Sequence, residues 1–158
     1  MLKLYKRVSD NLHYWEAWTE AHNNVAVEHW GVVGERGEFV NHPLPKKYKE
    51  ATLLKSVLAK ANEAGYEPID DDQLAVLLVE YKVDGFGTAE DLQKRHSLED
   101  RLNETLGWTG VGHVDGGSIG SGSMEVACYV VDLEIAKQVI EDDLKSTEFS
   151  DFSRIYAE

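Results

Sequence analysis

His113 and Asp115 are the residues whose types and spacing most resemble those of a reactive pair. They lie two apart, so on an extended chain their side chains share one face. An imidazole beside a carboxylate can serve as a general base with its orienting acid, or as two metal ligands. Ser118, Ser121 and Ser123 follow close behind as hydroxyl nucleophiles. No nucleophile elbow accompanies them, and no third metal ligand is identifiable, so neither a catalytic nor a metal site is assigned and no cofactor is expected. The surrounding stretch, Gly107 to Ser123, holds seven glycines, which permit positive φ and close backbone approach. Its N–H groups would suit an anion nest. A nucleotide loop, however, needs glycines that open a helix or a closing Gly-Lys-Ser/Thr, and neither is present. A twisted β-hairpin is expected, with His113 and Asp115 kept as binding residues.

The second feature is Trp30-Gly31. Indole offers a flat face and an N–H donor, and glycine beside it relieves crowding and lets another backbone approach. A packing anchor is the simpler expectation, a ligand platform the sharper one. Arg36 sits close by in the turn Gly34-Glu35-Arg36-Gly37. The acidic run Glu141-Asp142-Asp143 is a third candidate, for a basic protein surface. It and Asp70-Asp71-Asp72 lack the alternating oxygens of a calcium loop. Cys128, the only cysteine, lies among Val126, Tyr129 and Val130 and reads as a buried, inert thiol.

Charge separates two regions. The chain has 158 residues and a formal net charge of −13. Residues 1–67 contain nine basic and nine acidic side chains, and residues 68–158 contain seven and twenty. A field of that sign repels phosphate backbones and anionic lipid heads and favours basic partners. One cysteine excludes an intrachain disulfide framework and fits a reducing, cytoplasmic setting. The first ten residues lack the apolar core of a signal peptide, and no apolar run approaches the length of a membrane span, so no membrane partner is expected.

The charge step coincides with Gly65-Tyr-Glu-Pro68, a strong helix stop, and two domains are expected: 1–67 and 68–158. In the first, Leu2 and Leu4 alternate with Lys3 and Tyr5. Tyr14, Glu16 and Trp18 alternate with His13, Trp15 and Ala17. Val25, Val27, His29 and Gly31 oppose Ala26, Glu28 and Trp30, giving three strands. Glu38-Phe-Val40 returns after the turn. Pro45 is expected to open a helix, with Tyr48, Ala51, Leu54, Leu58 and Ala61 as its apolar stripe and Gly65 as its stop. Lys46, Lys47, Lys49, Lys55 and Lys60 give that helix a basic stripe, the one feature favouring nucleic acid.

Residues 1–67 resemble a WGR domain, the small module of poly(ADP-ribose) polymerases and bacterial regulators. The likeness rests on Tyr14, Trp18, Val27-Glu-His-Trp30-Gly31-Val32-Val33-Gly34, the Glu35-Arg36-Gly37 hairpin and the helix ending Ala64-Gly65-Tyr66. It implies an antiparallel sheet with one helical segment. In members that bind nucleic acid the tryptophan packs on a sugar and an arginine holds phosphate. Trp30 and Gly31 match, but the arginine position is Val32, which cannot form a charge-assisted hydrogen bond.

The second domain reads strand–helix–strand–strand–helix–strand. Leu74 to Val83 is an apolar run for a central strand. Thr88-x-x-Asp91 and Ser97-x-x-Asp100 each carry a capping signature, so helix starts are expected near both. Leu98, Leu102 and Leu106 form a stripe. Trp108–Val114 and Met124–Val131 are expected to pair across a glycine-rich connection. Asp132 caps a helix with Leu133, Ala136, Ile140 and Leu144 inward, and Phe149–Tyr156 closes the sheet. That order predicts a ferredoxin-like sandwich, making the whole chain α+β.

The functional expectation is a non-enzymatic bacterial binding protein whose acidic second domain engages a basic protein, as an inhibitor or immunity protein does. The competing expectation is a nucleic-acid or nucleotide binder using Trp30, Arg36 and the helix lysines. A small hydrolase at His113 and Asp115 is the third.

Overall fold

The computed structural model describes residues 1–158, which divide into two compact units, Met1–Asp70 and Asp71–Glu158. No helix is long and apolar enough to cross a membrane.

In the first unit, β1 (Leu2–Val8), β2 (Asn11–Glu20), β3 (Val25–Val32) and β4 (Glu38–Pro43) form an antiparallel sheet in chain order. Asn24, in the left-handed region at φ 55°, ends the single turn between β2 and β3. The register sets Trp15 opposite Trp30 and Glu16 opposite His29. On one face, Leu54, Leu58 and Ala61 of two short helices, α1 (Glu50–Val57) and α2 (Ala59–Glu63), bury Leu4 and Ala17. The helical segment begins at Glu50 and not at Pro45, and Tyr48 is exposed. The intervening Lys46, Lys47 and Lys49 place no apolar group on the sheet, so nothing holds a turn there.

Gly65, at φ +89°, ends α2 as the sequence predicts. Tyr66 N–H donates to Ala61 O and Gly65 N–H to Asn62 O, the two bonds of a Schellman close. Tyr66 then turns back onto Trp15, edge-on at 5.5 Å. The next residue, Glu67, exchanges two backbone bonds with Tyr5 and covers the open edge of β1.

The second unit runs β5 (Ala75–Lys82), α3 (Ala89–Trp108), β6 (Gly112–Gly120), β7 (Ser123–Val130), α4 (Leu133–Leu144), β8 (Arg154–Ala157). Its sheet has the order β6-β7-β5-β8 with every neighbouring pair antiparallel. Leu77, Val79 and Tyr81 of β5 and Met124, Val126, Cys128 and Val130 of β7 are buried with Leu98, Leu102 and Leu106 of α3 and Ala136, Ile140 and Leu144 of α4. Both units are therefore mixed helix and sheet.

Three local expectations are corrected here. One helix, not two, spans 89–108. Thr88 and Asp91 form its capping box, whereas Ser97 lies in mid-helix beside Gln93. Trp108 is the last residue of that helix and not part of a strand.

The third correction concerns the glycine-rich stretch, which is a strand and not a connection. Gly112, Gly116, Gly117 and Gly120 all stand in the β6–β7 ladder, with a bulge at Asp115, and the turn is only Ser121-Gly122. The reason is space. A Cβ at Gly112 would lie 2.0 Å from Tyr129 O. One at Gly117 would lie 2.6 Å from Glu125 O and 2.7 Å from Glu99 Oε1 of α3. Glycine's low strand propensity is outweighed by a helix that must cross this strand closely.

Candidate functional site

Around Trp30, alternation puts Tyr14 and Glu16 of β2 and His29 of β3 on one face, and antiparallel pairing brings them together. All three are buried, Glu16 at 2% exposure and His29 at 0%. His29 Nδ1 lies 2.8 Å from Glu16 Oε1, and His29 Nε2 lies 2.5 Å from Arg36 O. Lys3 Nζ lies 3.4 Å from Glu16 Oε2. Tyr14 O–H donates to Glu35 O at 2.9 Å, and burial raises its phenol well above the ordinary range.

These side chains hold the 34–37 turn by its carbonyls. The turn folds back so tightly that Gly31 faces Gly37. A Cβ on Gly31 would lie 2.8 Å from Gly37 Cα, and one on Gly37 would lie 2.1 Å from Trp30 O. Gly37 also needs its φ of +68°. Gly31 is thus explained by close approach within the unit. Trp30 itself is half-buried and stacks obliquely on Trp15 at 5.7 Å. Trp15 donates its indole N–H to Glu28 Oε1 at 2.9 Å. The Arg36 side chain is exposed, as are all five lysines of the 46–60 segment.

In the sequence Tyr14, Glu16 and His29 stand only as members of alternating strands, with nothing to single them out as a trio. The signal lay in the pairing register, since Glu16 and His29 meet only when β2 and β3 align as they do.

His113 and Asp115 lie on β6, an edge strand, and both are exposed. Asp115 falls in a bulge between Val114 and Gly116, outside the regular ladder. His113 has the Tyr129 ring beside it, at 5.7 Å. Ser121 sits in the turn at φ 53°, and Ser123 donates to Gly120 O. The N–H of Val114 is taken by Asn103 Oδ1 at 3.2 Å, which removes one backbone donor from a possible anion nest, and Arg95 donates to Gly117 O at 3.1 Å. Cys128 is buried, and burial pushes its thiol up to about 12, an inert state at neutral pH.

Of the acidic run on α4, Asp143 is fully engaged. Arg101 Nε and Nη2 of α3 donate to its two oxygens at 2.9 and 3.0 Å. That bidentate bond clamps α3 to α4. Asp142 is exposed and accepts from Gln138 and Lys145, which hold its carboxyl below the ordinary range. Glu141 is half-buried. The run therefore splits into a structural member and an outward-facing one. On the opposite edge of the sheet, Arg154 and Ser153 bond to Glu80 and likewise hold its carboxyl low.

No family model, curated protein or solved structure matches this chain.

Proposed function

We propose that the protein is a non-enzymatic binding protein whose Asp71–Glu158 unit engages a basic protein surface, in the manner of an inhibitor or immunity protein. Charge partition is the observation that carries this reading. The first unit has nine basic and ten acidic residues, the second seven and nineteen. Five of those seven cations are spent on the unit's own carboxylates: Lys94–Asp151, Arg95–Glu99, Arg101–Asp143, Lys145–Asp142 and Arg154–Glu80. Only Lys82 and Lys137 stand outside these pairs. The unit thus carries twelve more carboxylates than cations, with most of its cations already paired, an arrangement that speeds encounter with basic proteins and rejects polyanions.

Under the same reading the second unit is a ferredoxin-like sandwich, supported by its β-α-β-β-α-β order and the β6-β7-β5-β8 sheet. The first is a WGR-like module, supported by its four-stranded sheet, its helical segment and Trp30-Gly31 on β3 beside the 34–37 turn. A nucleic-acid role would draw on the exposed Arg36 and the five exposed lysines, and it forms one arm of the test below.

Fluorescence anisotropy with labelled oligolysine tests the reading. Binding that weakens with salt is expected, and weaker binding still for Glu141→Gln/Asp142→Asn, which leaves the Asp143 clamp intact. Affinity unchanged in that variant moves the binding face away from α4. Oligolysine that does not bind at low salt overturns the reading.

A further inference from the structure

Phe86 is 85% exposed, the highest value among the large apolar residues. It does not sit on a loose tip. The loop from Val83 to Thr88 is held by backbone bonds from Gly87 N–H to Asp84 O (2.9 Å), Gly122 N–H to Gly85 O (2.8 Å) and Val83 N–H to Gly122 O (3.0 Å). Gly85 and Gly87 take φ of +57° and +80°, and a Cβ on Gly87 would strike Ile119 at 2.7 Å. Beyond it, Thr88 and Asp91 lock the start of α3. The ring is therefore presented to water by a braced backbone, and little ordering entropy would be lost if it were gripped. Beside it opens a notch of about 370 Å³ lined by Lys82, Val83, Asp84, Thr88 and Asp91.

We propose that Phe86 is the anchor by which the acidic unit docks, entering an apolar pocket on a basic protein while a lysine or arginine beside that pocket enters the Asp84–Asp91 notch. The inference rests on the basic-partner reading above and adds the contact that confers specificity. An aromatic side chain that leaves water for a pocket carries binding energy that surface charge alone does not.

The test uses the full chain and a random-peptide library displayed on phage, with selected peptides remade and titrated by calorimetry. Selected sequences should pair Lys or Arg with large apolar residues. Phe86→Ala should weaken their binding by about thirtyfold, and Phe86→Leu by less. Phe39→Ala, which removes an exposed ring on β4, should change nothing. The thermal midpoint of Phe86→Ala should match the wild type because the ring is exposed.

Basic peptides that bind Phe86→Ala as well as wild type overturn the anchor and leave the charge reading standing. Neutral or acidic peptides that nevertheless need Phe86 overturn the basic-partner reading. A library that yields no binder overturns the docking proposal.

Discussion

The two units use the same residue types for opposite ends. In Met1–Asp70 the informative ionisable groups, Glu16 and His29, are buried and grip a turn from within. In Asp71–Glu158 five of the seven cations pair with carboxylates, and most of the nineteen carboxylates are left over. Glycine divides in the same way. Gly31 and Gly37 let a turn close on its own strand, whereas Gly112 and Gly117 let a partner strand and a helix approach. A conspicuous residue in a sequence is thus explained in one unit by how the chain folds on itself. In the other, part of the acidic surface remains after the fold has used what it needs, and that remainder is where function is sought.

The comparison can be broken first at the buried pair. Glu16→Leu leaves His29 buried without its carboxylate and should cost about 3–5 kcal/mol. Three of the four tryptophans, Trp15, Trp18 and Trp30, lie in the first unit. In a Trp108→Phe background, fluorescence during urea unfolding therefore reports that unit alone. An unchanged midpoint would mean that the pair is decoration.

Next come the glycines. Gly37→Ala and Gly112→Ala each place a Cβ within about 2 Å of a backbone oxygen and should cost about 3 kcal/mol, the first partly through strain at positive φ. Gly116→Ala meets open space and should stay within about 0.5 kcal/mol of wild type. Thiol labelling of Cys128 during unfolding reads the second unit, so a fluorescence change without a labelling change assigns each loss to its own unit.

A smaller effect is expected at the helix clamp. Arg101→Ala should cost about 1 kcal/mol, since the pair is partly exposed, whereas Lys145→Ala, at a surface pair, should be close to neutral.

The pH response sharpens the contrast further. Burial raises the folded-state values of Tyr5, Tyr14, Tyr81 and Cys128. Their contribution is complete below the ordinary values, 9.0 for the thiol and 10.0 for phenol, and is lost as pH climbs toward the folded ones. Both units should therefore weaken together in alkali. Glu20 in the first unit and Glu80 and Asp142 in the second are held low by hydrogen bonds. Their contribution is present above the ordinary carboxylate range and is lost as pH falls through the folded values. Far-ultraviolet dichroism against pH, with Glu80→Gln as control, reads this. Retention of the acid limb in that variant would assign it elsewhere.

Much of the architecture was legible because it follows from short-range periodicity. Alternation placed Tyr14, Glu16 and Trp18 on one face, Thr88 marked a helix start, and Gly65 a stop. The failures share a cause. The strand of Gly112–Gly120 contradicts local propensity because Tyr129 and α3 crowd it from a distance. The Glu16–His29 pair depends on a register between separate strands, and the Arg101–Asp143 clamp on how two helices lie side by side. At the candidate surface, Glu141, Asp142 and Asp143 looked equivalent in a row, and only packing separated the clamped residue from the outward one.

Polarity between basic protein and nucleic acid tests the central claim most directly. Titration of the intact protein with oligolysine and with a short duplex DNA, each at low and moderate salt, should give salt-sensitive binding to the polycation and none to the duplex. Salt-sensitive binding to the duplex that Trp30→Ala abolishes, with no binding to oligolysine, would contradict it.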